Sequence, residues 1–188
     1  VRFKLWFEKG PLFYATYNLR LLFFLLRNKV DVLFSNDLDT LPANYLASKL
    51  KRIPLVYDSH EYYTGVPELE GRPIVKGIWS WFEKRIIPNL HYAITVNNSI
   101  ANIYSKKYGV KFTVVRNLPI LDLEERIEKT ALRHELNLPL DKKIVILQGA
   151  GINIQRGAEE AVEAMQFTEG VLLLIVGSGD VLPILKKM

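Results

Sequence analysis

The densest cluster of ionisable side chains follows a short apolar run that begins after Pro54. Residues 55–63 read LVYDSHEYY, so Asp58, His60 and Glu61 stand close together where a predicted strand ends. Ligands of parallel α/β sheets bind beyond the carboxyl ends of strands. There a neutral imidazole can hydrogen-bond a substrate hydroxyl or exchange a proton near neutral pH, and the carboxylates can orient it. The competing interpretation is a histidine that only ties down its loop.

A second cluster is the glycine-rich segment GAGINIQRG at 149–157, between a predicted strand and a predicted helix. Glycines let the backbone approach a ligand closely, and a helix start attracts an anion. Arg156 adds a guanidinium fork that fits phosphate. The segment is neither a Walker loop nor a good dinucleotide fingerprint, because GxxxxGK[ST] is absent and the third glycine is misplaced. An ordinary strand-to-helix turn is the alternative, but Arg156-Gly157 and a later GSG turn favour phosphate binding.

The amino-acid composition excludes several kinds of reactive site and of binding partner. The chain of 188 residues has no cysteine, which excludes disulfides, thiolate nucleophiles and Cys-ligated zinc. Asp58, His60 and Glu61 lack further residues that would complete a ligand set, so we predict no metal site and no cofactor. The net charge of +5 favours anionic partners such as phosphorylated ligands or an anionic membrane face. No nucleic-acid-binding motif is present, so we predict no nucleic-acid partner.

The elements that must position these clusters alternate between strand and helix. Such alternation is typical of βαβ units, so we predict an α/β fold with parallel sheets. We expect Ser99 to cap the helix that Gly109 ends. The predicted strands are 30–35, 54–58, 91–96 and 112–115, and the predicted helices are 11–29, 38–51, 74–87 and 99–108.

After Asn117 the alternation of strand and helix patterns stops. Residues 118–143 carry charged helical sequence without a strand, which indicates a linker. A second α/β unit follows, with strands at 144–148 and 171–176 around a helix at 157–167. The predicted organisation is a first domain over 1–117, a linker over 118–143 and a second domain over 144–188. The chain starts at Val1 and ends within a helical pattern, so we expect a fragment of a longer protein, cut at both ends.

Two helices are rich in apolar residues. The first, 11–29, is predicted to be a buried crossover helix rather than a membrane-surface helix, although basic residues flank its apolar run. The second contains Trp79, Trp81 and Phe82. Aromatic residues at this spacing more often pack on a sheet than dock a lipid acceptor, so packing is predicted there as well.

A series of motifs occurs in a fixed order from about Asp31 onward: DVLFSND, LVYDSHE, FEKRIIPNLHYAITVNNSI, YGVKFTVVRN, GAGINIQRGAEEAVEAM and LLLIVGSGD. Together they resemble glycosyltransferase family 4, whose members have the GT-B fold. The resemblance implies two Rossmann-like domains that face each other across a cleft. It also implies a nucleotide-sugar donor held mainly by the C-terminal domain, retention of configuration at the transferred sugar and no required metal. This chain would supply an incomplete N-terminal domain and the start of the second.

The same resemblance assigns roles to particular residues. His60 matches the catalytic histidine that contacts the transferred sugar, and Arg156 matches the basic residue that binds the donor diphosphate. Negative charge builds on the departing phosphate, so a prepositioned cation there would favour the reaction. The other implied donor-binding residues are Gly149, Gly151, Gly157, Gly177 and Gly179. The implied substrate-binding residues on the acceptor side are Asn36, Asp37, Asp58, Glu61, Asn97 and Asn117.

The chain also departs from the family pattern. A second basic residue that many members have at the position of Ala150 is missing. The family's glycine-rich acceptor loop and its late acidic pair, which holds the donor ribose and sugar, are not visible. We therefore predict that this fragment alone lacks transferase activity. Uncovered sheet edges would also favour self-association of the fragment.

The function predicted for the full-length protein is a hexosyltransferase-like glycosyltransferase of polysaccharide biosynthesis. It would move a sugar from a nucleotide-sugar donor to a glycan or lipid-linked acceptor. It is predicted to be cytoplasmic, with peripheral contact at the inner membrane face. Two alternatives stay open: a sugar-nucleotide epimerase of the same fold, and a non-catalytic nucleotide-binding or partner-binding α/β module. The last would keep its function after His60→Ala.

Overall fold

The computed structural model describes residues 3–118 and 129–188. The chain divides into two units, Val1–Ile120 and Leu121–Met188. The described part of the predicted linker, 129–143, falls in the second unit. Within the described residues, no helix is both long enough and apolar enough to span a bilayer.

The sheet of the first unit contains four parallel strands in the order β1-β2-β3-β4. Because all four strands are parallel, every strand ends at the same edge of this sheet. The side chains that follow the strands are thereby gathered at one edge, which we call the carboxyl edge. The strands are β1 Leu33–Asn36, β2 Leu55–Ser59, β3 Tyr92–Thr95 and β4 Thr113–Val114.

Helices connect these strands and cover the sheet. Nζ of Lys51, at the end of α2 (Asp37–Lys51), donates to the carbonyls of Leu25 and Asn28 at the end of α1 (Gly10–Arg27). Asn18 in α1 contacts the first turns of α2. Helices α1 and α2 therefore run parallel, and both begin toward the carboxyl edge. The helices are α1 Gly10–Arg27, α2 Asp37–Lys51, α3 Pro73–Ile86 and α4 Asn98–Tyr108, with 3₁₀ turns at Tyr63–Gly65, Pro67–Leu69 and Ile87–Asn89.

The core of the first unit lies between the sheet and its helices. Tyr57 of β2 and Tyr104 of α4 are fully buried, and the Tyr104 ring stacks on Phe112 at a centroid distance of 4.6 Å. Burial raises the pKa of the Tyr104 hydroxyl to about 12, so this group stays neutral at physiological pH. Leu38, Leu41 and Ile87 complete the most deeply buried part.

One charged side chain lies entirely inside this core. Glu83 of α3 has no exposed surface, and its Oε1 accepts hydrogen bonds from Lys107 Nζ at 2.7 Å and from the Tyr108 hydroxyl. Lys107 also donates to the Tyr62 hydroxyl at 2.8 Å. This network joins α3 and α4 to the loop that follows β2. Burial by itself would lower the pKa of Lys107, but hydrogen bonds to Glu83, Tyr108 and Tyr62 raise it above its usual value.

The second unit contains a two-stranded parallel sheet, formed by β5 (Lys143–Gly149) and β6 (Val171–Gly177). Lys143 pairs with Val171 at one end of the sheet, and Gly149 pairs with Gly177 at the other. Ile152, Ala158, Val181 and Leu185 form its small buried cluster. Its elements are α5 Lys129–Glu135, β5 Lys143–Gly149, α6 Ala158–Ala164, a 3₁₀ turn Met165–Phe167, β6 Val171–Gly177 and α7 Leu182–Leu185.

The predicted α/β class with parallel sheets is confirmed, with differences at the ends of elements. Ser99 is not the cap of α4: Asn97 holds that position, and its Oδ1 accepts the Ile100 N–H at 2.9 Å. The asparagine precedes the first helical turn and can reach the third N–H, whereas Ser99 lies inside the helix. Gly109 does end α4, in the left-handed conformation that glycine adopts without strain.

The prediction that the first helix is buried is correct for one side only, where Tyr14, Leu21, Leu22, Phe24 and Leu26 pack partly buried against the core. Leu25 is the only residue of α1 that is fully buried, while Leu12, Leu19 and Phe23 are at least half exposed. These three residues recur along one side of α1, away from the side through which Asn18 contacts α2. The predicted helix at 157–167 is also shorter, because Gly157 precedes it with a positive φ and a 3₁₀ turn replaces its last residues.

Candidate functional site

His60 lies at the carboxyl edge of the first sheet and is held from two neighbouring strand ends. Its ring Nε2 is 3.0 Å from Oδ2 of Asp58, and its backbone N–H donates to Oδ1 of Asp37 at 3.0 Å. Asp37 has a φ of 55°, a strained conformation for a residue with a side chain. Asp37 follows β1 directly, so the strained residue at one strand end fixes the loop at the end of the next strand.

The orientation of the His60 ring leaves one nitrogen for a ligand. In a neutral imidazole one nitrogen donates and the other accepts, and a carboxylate partner favours a donor at Nε2. Nδ1 is then an acceptor, and it makes no hydrogen bond with any residue in the described part of the chain. The side chain of His60 is 46% exposed, so the imidazole is open to a ligand. The arrangement suits acceptance of a hydrogen bond from a hydroxyl group.

Buried hydroxyl groups hold the backbone on both sides of His60. Ser59 is fully buried, and its Oγ donates to the carbonyl of Glu61 at 2.8 Å. Thr95, at the end of β3, donates to the carbonyl of Ser59 at 2.6 Å. Each of these bonds crosses the His60 backbone or ties it to a neighbouring strand. The loop is therefore organised before any ligand arrives.

Tyr62 continues this support on the carboxyl side of His60. Its ring lies against Gly65 so closely that a Cβ at Gly65 would be 2.3 Å from Cδ1 of Tyr62. Lys107 donates to the Tyr62 hydroxyl and also lies over the ring, 5.1 Å from its centre. Sequence reasoning did not identify Tyr62 or Lys107 as part of the site. Gly65 and Pro67 after the strand predicted only a loop. The contact between Tyr62 and Lys107 of α4 joins distant parts of the chain, so no local sequence pattern indicates it.

Several predicted residues line one cavity at the carboxyl edge. This cavity, of about 370 Å³, is bordered by His60, Val96, Asn97, Arg116, Asn117 and Leu118. The ends of β2, β3 and β4 supply these residues. The structure thus brings together His60, Asn97 and Asn117, although Oδ1 of Asn97 is committed to capping α4. Arg116 was not predicted as a site residue; its position directly after a predicted strand was the available signal.

The remaining acceptor-side predictions are not among the residues that line this cavity. Asp37 and Asp58 contact His60, so the structure gives them a positioning contact, whereas Asn36 and Glu61 are exposed residues at the ends of β1 and β2. Asp39, which was not predicted, is a carboxylate close to Asp37. Burial raises the pKa of Asp39, the Asp37 carboxylate raises it further, and backbone N–H groups oppose the shift. No group of three or more His, Asp or Glu side chains within 3–118 and 129–188 is arranged to hold a metal ion.

The glycine-rich loop of the second unit is interwoven with the loop that follows β6. Ile152 N–H donates to the Ser178 carbonyl at 2.9 Å, and Ile154 N–H donates to Oδ1 of Asp180 at 3.0 Å. Ser178 N–H donates in turn to the Gly149 carbonyl. The predicted donor residues Gly149, Gly151, Gly177 and Gly179 all lie in these two loops, and Arg156 and Gly157 lie just before α6.

Two of these glycines are required by the crossing of the loops. A Cβ at Gly177 would lie 1.8 Å from the Gly149 carbonyl oxygen, and one at Gly179 would lie 1.9 Å from the Ile152 carbonyl oxygen. At Gly149 and Gly151, by contrast, the nearest atoms would be 3.9 and 3.7 Å away. Gly177 and Gly179 therefore have a structural reason to be glycine that does not depend on a ligand. Their proximity to a nucleobase stays a prediction.

Replacing Gly179 by alanine is expected to destabilise the second unit by roughly 1–3 kcal/mol, because the new methyl group forces two backbone segments apart. The measurement is the urea midpoint of unfolding, followed by a signal from the second unit. Gly151→Ala is the matched control and should change stability by less than about 0.5 kcal/mol, since its methyl group meets only ordinary contacts. Equal effects of the two substitutions would contradict the close crossing.

Comparison with known proteins identifies the family of the first unit. The family model described as Glycosyltransferase Family 4 matches residues 1–118. The comparison with curated proteins found no match. Among solved structures, sucrose-phosphate synthase from Thermosynechococcus elongatus is similar, with a TM-score of 0.63 and 19% identity over 90% of this chain. S. aureus MnaA in complex with UDP has a TM-score of 0.49 and 14% identity over 98% of this chain.

The similarity to the synthase shows the fold, namely Rossmann-like parallel sheets of the GT-B type. This chain spans 42% of the length of the synthase and 51% of the length of MnaA. The family match covers more than half of the chain and includes β1 to β4 with the His60 cavity. By these findings the chain belongs to glycosyltransferase family 4.

Proposed function

We propose that the protein to which this chain belongs transfers a sugar from a nucleotide-sugar donor to an acceptor, as a hexosyltransferase-like enzyme. The observation that carries the proposal is the position of His60. It is oriented by Asp58 and Asp37 and borders the 370 Å³ cavity, within the unit that matches the family. A histidine that shares a cavity with two asparagines and an arginine fits a sugar, whose surface carries many hydroxyl groups.

In this proposal His60 accepts a hydrogen bond from a hydroxyl of the transferred sugar through Nδ1. Asp58 keeps the proton on Nε2, and Asp37 holds the backbone of the same residue. Arg116 and Asn117 complete the border of the cavity with a cation and an amide. These groups recognise the sugar and its acceptor, and they hold the reacting hydroxyl groups in place before the reaction.

The donor diphosphate is assigned to the second unit. Arg156 is exposed just before α6, and its guanidinium can form paired hydrogen bonds with phosphate oxygens. As the bond between sugar and diphosphate breaks, negative charge builds on the leaving group and a prepositioned cation stabilises it. The same proposal includes retention of configuration, a mechanism without metal and a glycan or lipid-linked acceptor. It also includes a role in polysaccharide biosynthesis at the cytoplasmic membrane face and self-association of the isolated chain.

Arg156→Met in the full-length protein is expected to lower the rate of transfer by about 10²–10³-fold, because the leaving group loses its cation. Arg156→Lys should retain part of the rate, since a point charge replaces the fork. The measurement is product formation at saturating donor. Lys142→Met, which removes an exposed cation of the same unit, should leave the rate unchanged. Equal losses in both Met variants would exclude a specific role for Arg156.

A thermal-shift screen of the full-length protein against nucleoside diphosphate sugars tests the proposal directly. A ligand that binds only the folded state raises the unfolding temperature, and the product formed with each hit identifies the reaction. Transfer to an acceptor supports the proposed function. Interconversion of the sugar without transfer would indicate an epimerase, and the absence of any response would favour a non-catalytic module.

A further inference from the structure

The loop that carries His60 is anchored to helix α4 on both sides of the histidine. Before His60, the Oγ of the buried Ser59 lies 3.3 Å from the Tyr104 hydroxyl. After His60, the Tyr62 hydroxyl accepts a hydrogen bond from Nζ of Lys107 at 2.8 Å. Tyr104 and Lys107 are one helical turn apart in α4, so both anchors leave the same face of this helix. Helix α4 therefore holds the His60 backbone from two points.

The Lys107 end of this support is itself fixed inside the core. Glu83 of α3 has no exposed surface, and its Oε1 accepts hydrogen bonds from Lys107 Nζ at 2.7 Å and from the Tyr108 hydroxyl. The Lys107 ammonium also lies over two aromatic rings, 5.1 Å from the centre of Tyr62 and 5.0 Å from the centre of Tyr108. These contacts hold the ammonium group in the position from which it reaches the Tyr62 hydroxyl.

The Tyr62 ring is confined by its neighbours as well. A Cβ at Gly65 would be 2.3 Å from Cδ1 of Tyr62, so the ring has this position only while residue 65 is glycine. The ring also packs edge-on against Tyr104 at a centroid distance of 5.7 Å. A side chain that is bonded at its tip and packed along its ring fixes its own backbone, and this backbone closely follows His60 in the chain.

Stability alone gives no reason for an ion pair in this place. Removing two charges from water costs about as much as their attraction returns, so well-packed apolar residues usually stabilise a core equally well or better. Oε2 of Glu83 adds to this cost, because it has no hydrogen-bond partner within the described residues. What the pair provides is direction, since the Lys107 ammonium donates one of its hydrogen bonds to the loop of His60.

From these observations we infer that Tyr62 and Lys107 are positioning residues for His60, and that the buried Glu83 fixes Lys107 in this role. Neither Tyr62 nor Lys107 is among the residues that border the His60 cavity, so they act through the loop and not through contact with a sugar. The inference rests on the proposed function, since it concerns the same histidine. A loosely held imidazole lowers the fraction of bound substrate in the reacting geometry, so the expected signature is a lower kcat at an unchanged KM for the donor.

The first test compares two deletions of a single hydroxyl group in the full-length protein. Tyr62→Phe removes the bond that joins the loop to Lys107, whereas Tyr108→Phe removes a bond to Glu83 that does not involve the loop. We expect kcat to fall about tenfold in Tyr62→Phe with the donor KM unchanged, and to stay within about twofold of the wild type in Tyr108→Phe. Equal losses of kcat in the two variants, or a loss in neither, would overturn the inference.

A second pair of variants moves the Tyr62 ring without removing a polar group. In Gly65→Ala the new methyl group displaces the ring, so kcat should fall as in Tyr62→Phe. Gly77→Ala is the control, because a Cβ at this position of α3 meets no atom within 4 Å, and its kcat should match that of the wild type. The same kcat in both alanine variants would contradict a positioning role of the ring.

The third measurement follows the loop itself and needs no sugar transfer. The His60 amide donates to Oδ1 of Asp37, so its hydrogen exchange reports how often the loop opens. In NMR spectra, we expect this exchange to be at least about fivefold faster in Tyr62→Phe than in the wild type, relative to the amides of β3, and unchanged in Tyr108→Phe. Unchanged exchange in Tyr62→Phe would overturn the inference whatever the activity of the protein.

These readouts distinguish a failure of the inference from a failure of the proposed function. A wild type that transfers sugar, with a Tyr62→Phe variant that is equally fast, would remove the inference alone. A wild type that responds to no nucleotide sugar, with faster His60 exchange in Tyr62→Phe, would count against the proposed function and would leave the anchoring of the loop supported.

Discussion

Replacing His60 by alanine in the full-length protein is expected to lower the rate of sugar transfer by about 10²–10⁴-fold. The substitution removes the imidazole that Asp58 orients at the border of the cavity, so the sugar loses its proposed hydrogen-bond acceptor. The fold should not change, because His60 is exposed and its backbone N–H still donates to Asp37. The measurement is the turnover rate at saturating donor, together with donor affinity from titration of the nucleotide sugar.

Two further variants separate this role from a loss of folding. In His60→Asn the side-chain oxygen takes nearly the place of Nδ1, so this variant should retain more activity than the alanine variant. His91→Ala removes an exposed histidine before β3 and should leave the rate unchanged. A His60→Ala protein with normal turnover would favour the non-catalytic module and would remove the main support for the proposed enzyme.

Replacing Lys107 by methionine is expected to destabilise the first unit by about 3 kcal/mol, because it leaves the buried Glu83 carboxylate without its cation. Oε2 of Glu83 already has no hydrogen-bond partner within the described residues, so the carboxylate cannot compensate. The pKa of Lys107 is raised in the folded state, and the stabilisation is therefore complete below its ordinary pKa of 10.5. It should decline only as the pH rises beyond that value. Urea unfolding at several pH values measures the effect.

The adjacent lysine provides the control for this prediction. Lys106 is exposed on α4, and Lys106→Met should change stability by less than about 0.5 kcal/mol. The double variant Glu83→Leu with Lys107→Met should be more stable than Lys107→Met alone, since it removes the uncompensated charge. If the single and the double variant lost stability equally, the contribution would come from Lys107 packing rather than from the ion pair.

Much of the first unit could be predicted because its signals are local. The runs before Asp58 and before Asn97 are apolar and end in polar residues, so strands and their carboxyl edge follow from the pattern. The exact ends could not be predicted, since the cap of α4 depends on whether Asn97 or Ser99 reaches the free N–H groups. The exposure of α1 could not be predicted either, because an apolar helix looks the same in sequence whether or not a neighbour covers it.

The residues of the candidate site could be predicted from the sequence, but their contacts with one another could not. His60 and Asp58 stand out as ionisable groups at a strand end, but the bond from His60 to Asp37 depends on the register of β1 and β2. The support from Lys107 and Glu83 joins residues of two helices and a loop, far apart in the chain. Gly177 and Gly179 were predicted for a ligand, whereas the structure shows that the backbone of the neighbouring loop already requires them.

The interwoven loops after β5 and β6 also affect the thermodynamics of ligand binding. A free loop must lose conformational entropy when a ligand orders it, and this loss weakens binding. Here the bonds from Ile152 to Ser178 and from Ile154 to Asp180 order both loops when the chain folds. A nucleotide that contacts either loop should therefore bind with a small entropic penalty. For the same reason the two loops should gain protection from amide hydrogen exchange together rather than one at a time.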